Sequence, residues 1–521
     1  MIFKYGKDWL TSGIALKLAK GHIKGVLSSD VRDKINASSN IVNSIIKDDS
    51  PIYGINTGFG PLCTVTIESE HLSELQHNLL LSHSVGVGKP ISKELTKLML
   101  ILKVHSLSMG FSGIRIETLE RLLWLIENEI YPIVPEQGSV GASGDLAPLA
   151  HLFLPLIGRG QVVVNNSTYD SIEILKKHDL KPIELQPKEG LALINGTQFI
   201  LAHAIKVVAE MHTVLSHGDL LATMMAEGLK GSSSPFRPEL HELRPFKGNI
   251  HVAARMHYLL HNSEINTSHA SCNKVQDPYS IRCVPQVHGA SRDAWLHLKE
   301  RVEIEANSVT DNPIILPSSE AISGGNFHGQ PLAMTLDYAK LAVAELGNIA
   351  DRRIYLSMMG GTEGLPKLLV KDSGVNSGFM ILQYTTAALV SENKSLCFPS
   401  SADSVPTSCG QEDHVSMGSI CGRMALQVLS NLRSIQAIEL ICAAQAIDFA
   451  FPDKPHPIIS KIHSIFREEV AFADKDRYFK KDIEAAHETI NSGIILKLVK
   501  ELTNNKYGGF RTKYDSIFEV Y

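Results

Sequence analysis

Apolar positions recur at helical spacing along most of this chain. Short helical patterns run over 92–108 and 115–130, and past residue 196 the texture changes to long, nearly proline-free stretches at 196–229, 331–358 and 415–450. In the second of these, Leu332, Leu336, Ala339, Val343, Leu346 and Ala350 step by 4, 3, 4, 3 and 4 residues, one continuous apolar seam of the kind a helix bundle buries. Such stretches exceed the span of about 8–20 residues usual for globular helices. Their length suggests a bundle core or a helix that also crosses a subunit interface, although an intramolecular core alone accounts for it. Polar or Gly/Pro-rich segments at 231–250, 308–330, 360–380 and 397–414 read as connections. Strand signals are sparse, the clearest being GQVVVN at 160–165 and NPIILP at 312–317. The pattern predicts a mainly α fold. It divides into residues 1–195, punctuated by Gly and Pro, and residues 196–521, a long-helix bundle with a C-terminal helical region.

The most apolar window, 190–211, is interrupted by Asn195, Gln198, His203 and Lys206, so it reads as buried core and no membrane span is expected. The opening MIFKYGKDWL lacks the apolar core and small-residue cleavage site of a signal peptide. Across 521 residues, 50 Lys and Arg stand against 55 Asp and Glu, a net charge of −5 that provides no concentrated positive field for nucleic acid or a membrane surface. An apolar share of 44% and a charged share of 20% exclude global disorder. The length allows roughly three domains or one large unit, with a core that needs no staple. Cys63, Cys272, Cys283, Cys397, Cys409, Cys421 and Cys442 form an odd set without a CxxC pair. That suits neither a disulfide framework nor a zinc ribbon and fits a reducing compartment, so a soluble cytoplasmic protein is expected.

The chemistry is concentrated in GSVGASGDLAPLAH, residues 138–151. Ser143 among small residues suggests a hydrolase nucleophile elbow, but G-x-S-x-G needs glycine where Asp145 stands, and no β-branched strand precedes it. A tight turn with Asp145 capping a helix from Leu146 is the purely structural alternative. A sharper reading is chemical. The amide nitrogen of Gly144 can attack the carbonyl of Ala142 if the backbone folds back, and glycine has no Cβ to block that approach. Loss of water from the ring and from the Ser143 side chain, which becomes 2,3-didehydroalanine, would leave an electrophile made from the chain itself.

This segment resembles the prosthetic-group motif of the aromatic amino acid ammonia-lyases, whose 4-methylidene-imidazol-5-one (MIO) group forms autocatalytically from such a triplet. The resemblance extends in family order through YGINTGFG at 53–60, LINGTQ at 193–198, VQDPYSIRCVPQVHG at 275–289, GGNFH at 324–328 and QEDHVSMG at 411–418. It covers most of the chain. It implies a fumarase/aspartase-like long-helix bundle with a smaller N-terminal active-site domain carrying the MIO group. The two parts would be interlocked, because site residues from 53 to 412 must converge. It also implies a homotetramer with active sites shared between subunits.

Residue by residue, the resemblance makes Ala142, Ser143 and Gly144 the source of the electrophile. Arg282 has the planar fork suited to a substrate carboxylate, unless it serves a structural salt bridge. Asn195 and Gln276 are neutral amides that would hold substrate or the cyclised group. Tyr53 is the expected general acid/base facing the β-carbon, with Tyr279 assisting. A phenol of pKa about 10 must be depressed by its surroundings to act as a base. Ser82-His83 in LLSHSVGVG resembles the histidine-specific branch, where His83 and Glu412 would meet an imidazole and Phe327 would pack on its face. Alone, His83 would read as a satisfied core histidine.

The implied reaction is non-oxidative deamination of L-histidine to trans-urocanate and ammonia, the first step of histidine degradation. A tyrosine or phenylalanine ammonia-lyase or an aminomutase is the alternative within the family. A catalytically inactive helical scaffold is the alternative outside it. Cys409-Gly410 before QED and Gly329-Gln330 after GGNFH depart from the commonest histidine-branch pattern, and the extra C-terminal domain of the plant phenylalanine enzymes is not expected. No metal is expected. His257 and His261 are four residues apart but lack the glutamate of HExxH, GVGKP at 86–90 lacks the first glycine of a phosphate loop, and GSSSP at 231–235 resembles a fumarase-type loop only faintly.

Overall fold

The computed structural model describes residues 2–47, 51–270 and 274–520, and Cys272 lies outside them. Helices α1 (Leu72–His83), α2 (Lys93–Leu107) and α3 (Leu146–Phe153) belong to the N-terminal part. The bundle is built from α4 (Gln198–Gly228), α5 (Val284–Ala306), α6 (Gln330–Met358) and α7 (Gly418–Phe449). The apolar seam of α6 is buried as its spacing predicts, and α7 packs along both α4 and α6. One continuous core joins residues of the N-terminal part, such as Leu98 and Leu152, to Leu215, Leu336 and Leu432 of the bundle.

Helix α4 is the axis of this arrangement. It is long and apolar enough to cross a membrane, yet it is buried without a break over 198–205 and 214–228 among α5, α6 and α7. At its C-terminal end Gly228 meets α7 so closely that a Cβ there would lie 2.5 Å from that of Ala446. About two-thirds of the way along, buried Asp219 accepts from His288 Nδ1 at 3.0 Å and from Arg292, both on α5. Burial opposes the charge on Asp219, but Arg292, His288 and Arg255 outweigh it and hold the carboxyl below the usual carboxylate range. Arg353 of α6 and Glu439 of α7 form a second buried pair at 2.6 Å.

Two local patterns differ from the sequence reading. The segment 231–250 is no plain connection: it contains the helix Pro238–Glu242 and the start of Lys247–His261. Pro238 occupies the first turn of its helix, where the missing N–H costs nothing. NPIILP contributes only Ile314–Ile315 to a two-stranded pairing, since Pro313 and Pro317 on either side cannot donate to a ladder. GQVVVN does form a strand, Gln161–Val164, in the middle of a three-stranded sheet.

Asp145 precedes α3 as expected, but its side chain makes no bond to that helix. Its Oδ2 instead accepts from the backbone N–H groups of Phe199 and Ile200, both at 2.9 Å, in the first turn of α4. These are orphan donors at the positive end of a long helix, so an acceptor oxygen there satisfies both. Asp145→Ala should therefore lower unfolding stability by about 1–2 kcal/mol in urea titration, with Asp145→Asn costing less. Unchanged stability in the alanine variant would contradict the cross-helix cap.

Candidate active site

The turn leading into α3 lies backbone-to-backbone on the segment that precedes α4. Asp145 N donates to Gly196 O at 2.7 Å and Gly196 N to Ser143 O at 3.4 Å. Gly144 takes φ of 78°, and a Cβ on it would lie 2.1 Å from the carbonyl oxygen of Gly196. Only glycine fits there. The side-chain amide of Asn195, 2% exposed, donates to Ser143 O at 2.7 Å, so two donors converge on that one carbonyl. The other amide atom, Asn195 Oδ1, is buried without a hydrogen-bond partner among the described residues. A close-packed turn, a doubly bonded Ser143 carbonyl and a free acceptor beside it fit the cyclised group expected from the sequence.

Beneath the turn lie two buried ionisable groups. Lys103, on α2, donates to Asn195 O at 2.6 Å and fixes the segment from behind. Burial lowers its pKa to about 7, with Lys188 adding to the effect and Asp311 and Asp145 opposing it. Burial pushes Asp145 up to about 7, against the hydrogen bonds from Ile200, Phe199 and Ser139. Neither role was assigned from the sequence. Lys103 did carry a signal, as the charge inside the apolar run LMLILKV.

Above the turn opens a cavity of about 680 Å³, lined by Tyr53, His83, Ser143, Asn195, Phe327 and Glu412 among others. Ser143 Oγ donates to Glu412 Oε1, while Glu412 Oε2 accepts from Thr407 Oγ1 and Ser408 Oγ, each at 2.9 Å. His83 ends α1 and contacts Ser82 Oγ through Nδ1 at 3.0 Å. Burial lowers its pKa, outweighing the backbone of Leu79 and the charge of Glu412, so the ring is neutral near neutral pH. Tyr53 goes the opposite way from the shift a base needs. Its burial raises the phenol, the nearby Glu412 adds to that, and the bond with the Gly60 backbone only partly offsets it. Within one chain nothing brings the Tyr53 phenol down toward the range a base needs.

Three expected site residues lie elsewhere. Gln276, Tyr279 and Arg282 do not line this cavity. They sit on and before the short helix Tyr279–Arg282, just past the C-terminal end of α4. There Asp277 accepts from Ser232 N at 2.7 Å, and a Cβ on Gly231 would meet Ile281 at 3.1 Å. Arg282 donates through Nε to Asp277 O at 2.9 Å and lies 4.5 Å from the ring centre of Tyr279, itself 70% exposed. The Ser143 turn is bonded to the opposite end of α4, whose 31 residues span about 45 Å at roughly 1.5 Å per residue. One chain therefore gathers Tyr53, His83, Ser143, Asn195, Phe327 and Glu412 around the cavity, with Ala142 and Gly144 in the same turn as Ser143, and holds Gln276, Tyr279 and Arg282 a helix length away.

Comparison with known proteins follows the same outline. The sequence matches the model of the aromatic amino acid lyase family over residues 10–468. A histidine ammonia-lyase of Symbiobacterium thermophilum is 45% identical over 492 residues, 94% of this chain and 97% of that protein. Among solved structures, the histidine ammonia-lyase of Trypanosoma cruzi has a TM-score of 0.90 at 38% identity, covering 100% of this chain and 97% of the other. The tyrosine aminomutase of Streptomyces globisporus has a TM-score of 0.90 at 33% identity, covering 96% and 99%.

The Lys103 shift has a stability signature. Folded, the amine loses its proton near pH 7, whereas unfolded it keeps it to about 10.4. Between those values the unfolded chain holds more protons, so stability rises with pH. Compared with Lys103→Met, the parent should gain stability steadily from about pH 7 to about pH 10 in denaturant titrations. A difference that does not change with pH would contradict the buried, depressed amine.

Proposed function

The chain belongs to the aromatic amino acid lyase family, and from that premise we propose that it removes ammonia non-oxidatively from L-histidine to give trans-urocanate, the first step of histidine degradation. The observation that carries the choice of substrate is the Glu412 carboxylate, which accepts from Ser143 Oγ in the cavity that His83 also lines. An acid beside a neutral imidazole suits a substrate ring with N–H and N: positions of its own. A phenyl ring offers nothing to offset burial of that charge.

In this reading Ala142, Ser143 and Gly144 mature autocatalytically into the MIO group. That group supplies an electrophile that draws electrons from the substrate and eases departure of its amine, the work otherwise done by an added cofactor. The chain's own residues do the rest. Asn195 Nδ2 and Gly196 N steady negative charge on the Ser143 carbonyl oxygen. Glu412 and His83 hold the imidazole, Phe327 packs against its face, and Tyr53 exchanges a proton at the cavity wall.

Carboxylate capture by Arg282, with Gln276 and Tyr279 assisting, then comes from a second copy of the chain, in a homotetramer with shared sites. The length of α4 supports this, and so does an exposed apolar face on α6 formed by Met334, Tyr338, Leu341 and Tyr355. A cytoplasmic location belongs to the same reading and is supported by the free cysteines at 63, 283, 397, 409, 421 and 442.

Supplying L-histidine, L-tyrosine and L-phenylalanine separately and following the conjugated acrylate by absorbance tests this directly. L-Histidine should be turned over fastest, and Ser143→Ala should bring turnover below detection while the protein stays folded. Faster turnover of either other amino acid would overturn the substrate assignment, and an active Ser143→Ala variant the electrophile.

A further inference from the structure

Glu412 stands in a loop closed on itself. Thr407 N donates to Glu412 O at 2.8 Å and Glu412 N to Thr407 O at 3.4 Å. Inside that bridge, Gly410 N and Gln411 N reach the carbonyls of Thr407 and Ser408 at 3.0 and 3.1 Å. To close the loop, Ser408 and Cys409 take φ of 50° and 54° and Gly410 takes 85°. Two consecutive non-glycine residues in the left-handed region are held there at a cost. What the cost secures is visible at the side chains. The hydroxyls of Thr407 and Ser408 both grip Glu412 Oε2, and Oε1 is left turned toward Ser143.

Building on the histidine reading above, we propose that Thr407 and Ser408 are positioning residues that set substrate preference by fixing the Glu412 carboxylate. A glutamate has three rotatable side-chain bonds and, unheld, would swing away from a substrate unable to pair with it. Two hydroxyl donors on one oxygen remove that freedom. The other oxygen then presents its lone pairs at one place, where Ser143 Oγ–H now donates and where an imidazole N–H can donate in turn. The same immobile charge disfavours a phenyl side chain, which brings no donor.

The test uses Thr407→Val and Ser408→Ala, singly and together, with Thr407→Ser as the conservative rescue. Intact mass should report the same loss of two waters in all of them, separating the clamp from maturation of the turn. Each single variant should raise KM for L-histidine by about tenfold, the worth of one hydrogen bond to a charged acceptor, with a smaller change in kcat. The ratio of kcat/KM for L-histidine over L-phenylalanine should fall by about tenfold or more in the double variant, and Thr407→Ser should retain the parent ratio. A merely structural defect lowers both substrates together, so an unchanged ratio overturns the proposal even where activity drops. If the double variant does not fold, Thr407→Val against Thr407→Ser makes the same comparison. A parent that prefers phenylalanine or tyrosine refutes the histidine reading and the clamp with it, whereas a histidine-preferring parent with unaltered variants refutes the clamp alone.

Discussion

A single stiff helix sets the terms for everything else in this molecule. Helix α4 is buried over 198–205 and 214–228, tied to α5 through Asp219 and pressed against α7 at Gly228, so neither end can approach the other. The Ser143 turn is bonded to its first turn through Asp145 and to the segment just before it through Asn195. The segment holding Gln276, Tyr279 and Arg282 is bonded just beyond its last. About 45 Å of helix separates them. The chain presents the Ser143 turn at one pole and the Arg282 guanidinium at the other, and in our reading assembly brings the electrophile of the first together with the carboxylate-binding fork of the second.

At the first pole, backbone does work usually left to side chains. Gly144 and Gly196 approach too closely for any Cβ, and that closeness delivers Gly196 N and the Asn195 amide to the Ser143 carbonyl. Charges sit behind the turn instead of on it. Lys103 braces Asn195 and Asp145 caps α4, and burial brings both pKa values to about 7. The cavity side is correspondingly spare: a neutral His83, a phenol at Tyr53, and one carboxylate whose two oxygens face different ways. A rigid cradle with little mobile charge is suited to presenting a reactive group without reorganisation.

Much of this was legible in the sequence, for identifiable reasons. The step of 4 and 3 residues from Leu332 to Ala350 reports burial of α6 directly, because periodicity is local. The Ala142–Gly144 triplet and the ordered blocks around it carry their chemistry in residue type and order. What stayed hidden was set by tertiary contact. Asp145 before an apolar run offers a cap for its own helix as the structural alternative, and nothing local points to its actual partners 54 positions away. A base at Tyr53 needs a depressed phenol, but burial and Glu412 act together to raise it, and neither shows in YGINTGFG. Arg282 stands in the right motif yet at the wrong end of α4 for its own chain's cavity, a distance that only the path of the helix reveals.

The shared site is the claim on which the mechanism turns, and mixing two defects tests it most directly. Ser143→Ala and Arg282→Ala chains, each carrying a different affinity tag, should be inactive when expressed alone. Co-expressed and purified through both tags, the hybrids should regain a substantial part of the parent's histidine-deaminating activity, because some cavities pair an intact Ser143 turn with an intact Arg282 from another copy. Hybrids that contain both chains yet remain inactive would contradict a site built between subunits.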